Sequence, residues 1–256
     1  MLEKERHVLI MEKIRENGFV HVKDLMNELN TSRSSVMRDL CALEEEGLLV
    51  REHGGAALPE IRERLVKKSE PAVFEKEEVH VQEKKQIARC AARKIRNGSC
   101  IFLDSGTTTA FLMEELAERE VTIVTPSVYL LKRFPKNARC TVYLLGGQYD
   151  AKYDMNGGEY AVEMLEYYHF DAAFMSANGI DLKTGEVMVA DFALACQKKA
   201  AMKRSEVCYL LADASKFSQK AACTYAGITD FKTIFTSKTE HRKLPKNIMI
   251  VEEKEQ

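Results

Sequence analysis

The sequence predicts an α/β protein in two parts: a small N-terminal head of three helices and a hairpin, then a larger domain built on a parallel β-sheet. Three observations carry that expectation. Apolar residues recur at helical spacing through residues 3–46, interrupted by short polar turns. From Lys85 onward, short runs that are apolar on both faces alternate with helical segments, as buried parallel strands do. Loops of small and hydroxylic residues follow those strands again and again.

The bulk numbers bound the class. The chain has 256 residues, enough for one large or two ordinary domains. With 45% hydrophobic and 30% charged residues, its composition is that of a soluble globular protein. No run approaches the roughly 18 apolar residues of a membrane span, so no membrane partner is expected. The charged start, Met1-Leu2-Glu3-Lys4-Glu5-Arg6, lacks a signal-peptide core, and the expected location is cytoplasmic. The seven cysteines are scattered, without a C-x-x-C pair, and read as small apolar residues in a reducing compartment. No metal site or cofactor is expected. Net charge is −1, and residues 1–58 hold eight Lys+Arg against eleven Asp+Glu, a balance of −3. Nucleic-acid binding, if present, has to rest on where the charges sit.

Residues 3–17 form the first predicted helix, with Ile10, Met11 and Ile14 on one face and Gly18 at its end. Phe19 to Val22 is a short connection. Lys23 to Leu29 forms the second helix, with Leu25, Met26 and Leu29 inward. Asn30-Thr31-Ser32 is a turn, and Ser32 is a good N-cap. The third helix runs from about Arg33 to Glu46, with Val36, Leu40 and Leu43 inward and Gly47 closing it. Small side chains at the start of that helix allow close approach to a major groove, and Arg33 and Arg38 lie off the apolar face. The acidic run Glu44-Glu45-Glu46 lies at the far end. Leu48 to Ala56, with Gly54-Gly55 at the turn, reads as a hairpin wing. The DNA-facing candidates are Thr31, Ser32, Arg33, Ser34, Ser35, Met37 and Arg38, then Arg51, His53, Gly54 and Gly55 on the wing. A generic three-helix bundle with solvated charges is the alternative.

Residues 59–84, dense in Lys, Arg and Glu, read as a charged linker that either only connects or also transmits a signal. An α/β domain is expected over 85–240, and residues 241–256 are expected to be a tail. The domain opens with a helix, Gln86 to Ile95. Strands are expected at Cys100–Leu103, Val121–Val124, Thr141–Leu145, Ala172–Met175 and Val207–Leu211. Each is followed by a small-residue loop, at the strand ends where open α/β sheets bind ligands. The sharpest loop is Asp104-Ser105-Gly106-Thr107-Thr108-Thr109. It offers hydroxyls and backbone N–H groups at the positive end of a helix, which suits a phosphate. By itself it fits a plain capped helix start equally well. Four similar loops at the same sheet edge tip the reading toward a ligand. The loop lacks the Gly-Lys-Ser/Thr ending of a nucleotide P-loop. The remaining candidates are Thr125, Ser127, Gly146, Gly147, Gly157, Asn178, Gly179, Asp181, Lys198 and Lys216, the last as a point charge after Asp213.

Residues 20–57 resemble the winged helix-turn-helix of the DeoR family of sugar-metabolism regulators. The matching residues include Asp24-Leu25, Ser32, Arg38-Asp39-Leu40, Leu43-Glu44, Gly47 and Leu49-Val50-Arg51, followed by His53-Gly54-Gly55-Ala56. Met37-Arg38 stands where the family usually has two arginines, which removes one cationic DNA contact. Residues 85–238 resemble the family's sensor domain, of the ribose-5-phosphate-isomerase-like type. The motifs are Phe102 to Thr109, Val124-Thr125-Pro126-Ser127, Leu145-Gly146-Gly147, Phe170 to Phe174, Gly179-Ile180-Asp181 and Asp213-Ala214-Ser215-Lys216-Phe217. Pro126 replaces the usual asparagine, and Leu194 stands where many members carry a glutamate. The resemblance implies a repressor that binds double-stranded operator DNA as a dimer or tetramer and responds to a phosphorylated sugar or polyol. The rival is a sugar-phosphate isomerase-like enzyme using Asp104, Asp181 and Lys198. An isomerase has no use for a helix-turn-helix, so the expectation is a regulator with no catalytic residues.

Overall fold

The computed structural model of the chain describes residues 3–17, 19–52, 55–58, 73–241 and 243–251. The chain divides into two compact units, Met1–Ser69 and Glu70–Gln256.

In the first unit α1 (Glu3–Asn17) and β1 (Phe19–His21) precede α2 (Val22–Glu28) and α3 (Arg33–Glu45). The hairpin β2 (Val50–Glu52) and β3 (Gly55–Ala57) follows. Ile10 and Ile14 of α1, Leu25 of α2, and Val36, Leu40 and Leu43 of α3 share one core. Ser32 caps α3, its Oγ accepting from the Ser35 N–H at 3.3 Å. Gly47 follows the helix at φ +72°, the left-handed conformation that glycine adopts without cost. The segment expected to be a plain connection is a strand instead. β1 pairs antiparallel with β3, Val20 opposite Ala56, so the sheet order is β1-β3-β2. Three residues show no legible period, which is why the sequence hid it. Asp39 is buried at 2% exposure and accepts two hydrogen bonds from Arg6, at 2.7 and 2.8 Å, which fastens α1 to α3.

The second unit runs α4 (Val81–Ala92), β4 (Cys100–Leu103), α5 (Thr107–Leu116), β5 (Thr122–Thr125), α6 (Val128–Lys132), β6 (Thr141–Leu144), β7 (Gln148–Asp150), β8 (Met155–Gly157), α7 (Glu159–Leu165), β9 (Ala172–Met175), β10 (Gly179–Asp181), β11 (Glu186–Val189), α8 (Phe192–Lys203), β12 (Cys208–Leu211), β13 (Cys223–Gly227), β14 (Thr233–Thr236) and β15 (Ile248–Ile250). Seven strands form one sheet in the order β15-β14-β12-β9-β4-β5-β6, and every pair is parallel. Alternate residues feed two cores. Ile101, Phe174, Leu211 and Phe235 pack with Ile87 and Leu112 on one face. Phe102, Met175, Leu210 and Ile234 pack with Leu165 and Ala201 on the other. That double burial explains why the strands read as continuous apolar runs. A small antiparallel sheet, β10-β11-β13, and the β7-β8 hairpin stand beside the main sheet.

Two expected boundaries need correction. The sequence places a linker over 59–84, but the C-terminal unit claims its last part: Val73 is buried in the core and α4 begins at Val81. Residues 59–72 lie outside the described residues. The expected tail, 241–256, contains β15, which pairs with β14, and buried Val251. A three-residue strand after a proline carries too little pattern to be read as one.

Candidate functional site

From β4 the sheet grows one way through β5 and β6, and from β9 the other way through β12, β14 and β15. β4 and β9 are therefore the pair at which the winding reverses. Loops beyond such a pair diverge and leave a crevice, where open α/β sheets bind ligands. The loop after β4 is the predicted hydroxyl loop. The loop after β9 begins at Ser176.

The two loops touch. A Cβ on Gly106 would lie 2.6 Å from the Ser176 Cβ, so only glycine fits there. Asp104, 2% exposed, accepts from the Ser176 N–H at 2.8 Å and from the Ser176 hydroxyl at 2.6 Å through one carboxylate oxygen. The same oxygen receives the Lys198 ammonium from α8. Lys198 also donates to the Ser176 carbonyl and hydroxyl, at 3.1 Å each, and lies over the Tyr225 ring at 5.4 Å. Tyr225 donates its own hydroxyl to the Ser176 carbonyl at 2.9 Å, and burial holds its phenol well above the usual range. Asp104 and Lys198, both expected to face a ligand, thus contact each other and Ser176. Together they tie the loop after β4 to the loop after β9.

At the start of α5, Thr109 is fully buried and donates to the Asp104 and Gly106 carbonyls, at 2.6 Å each. It closes the loop on itself. No hydrogen bond of the Ser105, Thr107 or Thr108 side chains is found among the described residues, so these hydroxyls and the first N–H groups of α5 are the donors the loop offers.

The other predicted residues have these surroundings. Thr125 accepts from the Ser127 N–H at 3.2 Å, and Ser127 caps α6 by accepting from Leu130. Gly147, at φ +135°, lies so close to Gly157 that a Cβ there would fall 2.3 Å from the Gly157 carbonyl oxygen, and Gly146 precedes it after β6. Asn178 accepts from the Ala190 N–H at 3.0 Å. Asp181 holds its own turn, accepting from Lys183 N–H at 2.8 Å, and pairs with Lys220 at 3.1 Å, which keep its carboxyl below the usual range. Gly179 passes so close to the Gln219 carbonyl that a Cβ would reach 2.2 Å. Lys216 is half-buried, its ammonium 3.4 Å from Gln219 Oε1.

A residue the sequence reading left in the linker belongs here. Lys84 of α4 is 3% exposed, and burial lowers its ammonium to about 8, with Asp213 pulling it up and Lys216 and Lys76 pushing it down. Those influences place Lys84 in the same electrostatic neighbourhood as the loop after β12. The signal was its position three and four residues before Ile87 and Ala88, on the inner stripe of α4.

In the head, Arg33, Ser34 and Arg38 are exposed along α3, Thr31, Ser35 and Met37 are half-buried, and Ser32 serves as the cap. Arg38 donates to the Ser34 carbonyl at 3.3 Å. Arg51 is exposed, pairs with Glu44 at 2.6 Å and also contacts the Cys41 sulfur. Gly55 is buried by its β1 neighbours, a Cβ there falling 2.0 Å from the Phe19 ring, so its requirement is structural. His53 and Gly54 lie outside the described residues.

Residues 6–62 match the DeoR-like helix-turn-helix domain, and residues 79–238 match the DeoR C-terminal sensor domain. A Bacillus subtilis HTH-type transcriptional regulator, FruR, is 35% identical over 94% of this chain and 93% of its own. The chain belongs to the DeoR family. Other relatives are the lactose phosphotransferase system repressor of Streptococcus mutans, 31% identical over 96% of each chain, and the glycerol-3-phosphate regulon repressor of Escherichia coli, 27% identical over 92% of this chain and 91% of that one. Among solved structures, the ribose-5-phosphate isomerase of Methanocaldococcus jannaschii is similar with a TM-score of 0.39 and 19% identity over 52% of this chain and 53% of that chain. This DeoR-family chain is a transcription regulator with a DNA-binding head, as expected from the sequence. Among its described residues no helix is long and apolar enough to cross a membrane.

For the DeoR head, the exposed face of α3 makes a specific expectation. Arg38→Ala removes one cation from that face without touching the core. The logarithmic salt slope of operator binding is expected to flatten by about one counterion, read by fluorescence anisotropy across a salt series. An unchanged slope would place Arg38 away from the duplex.

Proposed function

We propose that this DeoR-family regulator is a repressor of carbohydrate or polyol genes whose operator binding is controlled by a phosphorylated sugar or polyol. The observation that carries the reading is the hydroxyl loop of α5 at the reversal point of the sheet. The names of the relatives, repressors of a sugar transport system and of a phosphorylated polyol regulon, agree with it. The phosphate sits on the N-terminal N–H groups of α5 with Ser105, Thr107 and Thr108, where the helix dipole favours negative charge. Lys84 and Lys216 supply point charges. Pro126 and Leu194 shape the end that holds the rest of the ligand. The regulator acts as a dimer or tetramer on a pseudo-palindromic operator.

The experiment is a thermal-shift screen of phosphorylated sugars and polyols against the full chain, repeated with Lys84→Met. A shift with the wild type that Lys84→Met loses supports the reading. Absence of any shift across the panel refutes it.

The site also predicts a pH dependence. An anion beside Lys84 raises its folded pKa from about 8, so binding takes up a proton once the pH exceeds that value. A phosphomonoester gains its second charge near pH 6. Affinity is therefore greatest between about pH 6 and 8 and falls toward pH 9, with Lys216, Lys76, Asp213 and Glu83 as the other titratable neighbours. Titration calorimetry in two buffers of different ionisation enthalpy reads the proton uptake directly. For stability the sign is opposite: the depressed pKa favours the folded state fully above about pH 10.5 and that favour is lost as pH falls through about 8.

A further inference from the structure

The segment by which the chain enters the C-terminal unit is clasped by groups that lead back to the α5 site. Val73 is buried and its N–H donates to the Lys152 carbonyl at 3.1 Å. Phe74 packs edge-on against Tyr129 of α6 at 5.9 Å. Glu77 pairs with Arg133 just beyond α6, and Arg133 pairs in turn with Glu114 of α5 at 2.6 Å. The Lys84 ammonium donates to the Lys76 carbonyl at 2.6 Å. α5 therefore carries the phosphate loop at its first turn and the Glu114–Arg133–Glu77 chain at its last. Lys84 is an electrostatic neighbour of the loop after β12 and a hydrogen-bond donor to the strap.

The geometry points to residues 73–77 as the output element of the effector site: an anion on the α5 N-terminus tightens, through Glu114 and Arg133, the clasp on this strap, which is the segment leading from the head. The inference rests on the phosphate reading above and adds the route by which occupancy leaves the site. The physical cause is local. The Lys84 ammonium holds the strap at the Lys76 carbonyl and Arg133 holds it at Glu77. The same anion orders the first turn of α5, the helix that anchors Arg133. A strap held at both Lys76 and Glu77 opens less often.

Hydrogen exchange on the full chain tests this, with inorganic phosphate as the probe against chloride at matched ionic strength. Phosphate is expected to slow exchange at the Lys76, Glu77 and Val79 amides by about fivefold, along with the first turn of α5. In Glu77→Gln and in Arg133→Gln the slowing at 76–79 is expected to be lost, while phosphate still protects residues 105–108. Protection at 105–108 in the wild type without any change at 76–79 overturns the strap and leaves the phosphate site standing. No protection at either place overturns both.

Discussion

Asp104→Ala is expected to destabilise the C-terminal unit by about 3–5 kcal/mol, the usual cost of removing one partner from a buried ion pair. Asp104 and Lys198 are both nearly inaccessible, and Lys198 places its ammonium on the carboxylate and on the two oxygens of Ser176. Without the carboxylate, a buried ammonium keeps only dipoles and the Tyr225 face. The Ser176 N–H and hydroxyl lose their acceptor as well. The loops at the reversal point should then separate. Urea unfolding of the full chain, followed by a probe of the second unit, reads the loss. The double variant Asp104→Asn with Lys198→Met removes both charges and is expected to recover much of it, since a neutral replacement leaves no uncompensated charge. If Asp104→Ala costs less than about 1 kcal/mol, the pair does not tie the two loops together.

Asp39→Ala is expected to destabilise the head by about 2–3 kcal/mol. Its two hydrogen bonds to Arg6 join α1 to α3 at a position 2% exposed, and Arg6 itself is 17% exposed, which places the effect at the lower end for a buried pair. A small unit with little stability to spare loses a large share of it. Operator binding should fail through unfolding, with the head's melting transition shifted down. The neighbouring Arg38→Ala should behave differently, changing the salt slope at an unchanged melting temperature. An Asp39→Ala protein that melts like the wild type would mean that the Arg6 pair is solvated and weak.

The contrast between Asp39 and Arg38 shows how much was legible in the sequence. The helices of the head were readable because their apolar stripes are regular and punctuated by Ser32 and Gly47. β1 and β15 were not, because three residues establish no alternation. In the sensor unit, strands buried on both faces were recognisable as apolar runs, and the hydroxyl loop stood out by composition. The charged members of the site did not separate cleanly. Lys84 sits in Glu83-Lys84-Lys85, which resembles a solvated run, although helical phase points it inward. Asp181 accepts from the Lys183 N–H of its own turn, and Asn178 accepts from the Ala190 N–H farther along the chain, a partner that pattern does not announce. Tyr225 carried no signal at all, since a single aromatic in a strand is what any core supplies. Pattern finds faces and loops; it does not reveal which polar groups satisfy one another across 72 or 94 residues of chain, as Ser176 and Lys198 do with Asp104.

A phosphate-bearing metabolite in the sensor unit is expected to change the grip of the head on DNA. The most direct measurement is operator affinity of the full chain with and without each phosphorylated sugar or polyol that raises its melting temperature, in the wild type and in Lys84→Met. At least one such compound is expected to change wild-type affinity about tenfold, which needs only about 1.4 kcal/mol of coupling, and Lys84→Met is expected to bind operator without responding. Contradiction would come from compounds that bind the wild type tightly and leave its operator affinity unchanged, or from a Lys84→Met protein that responds as fully as the wild type.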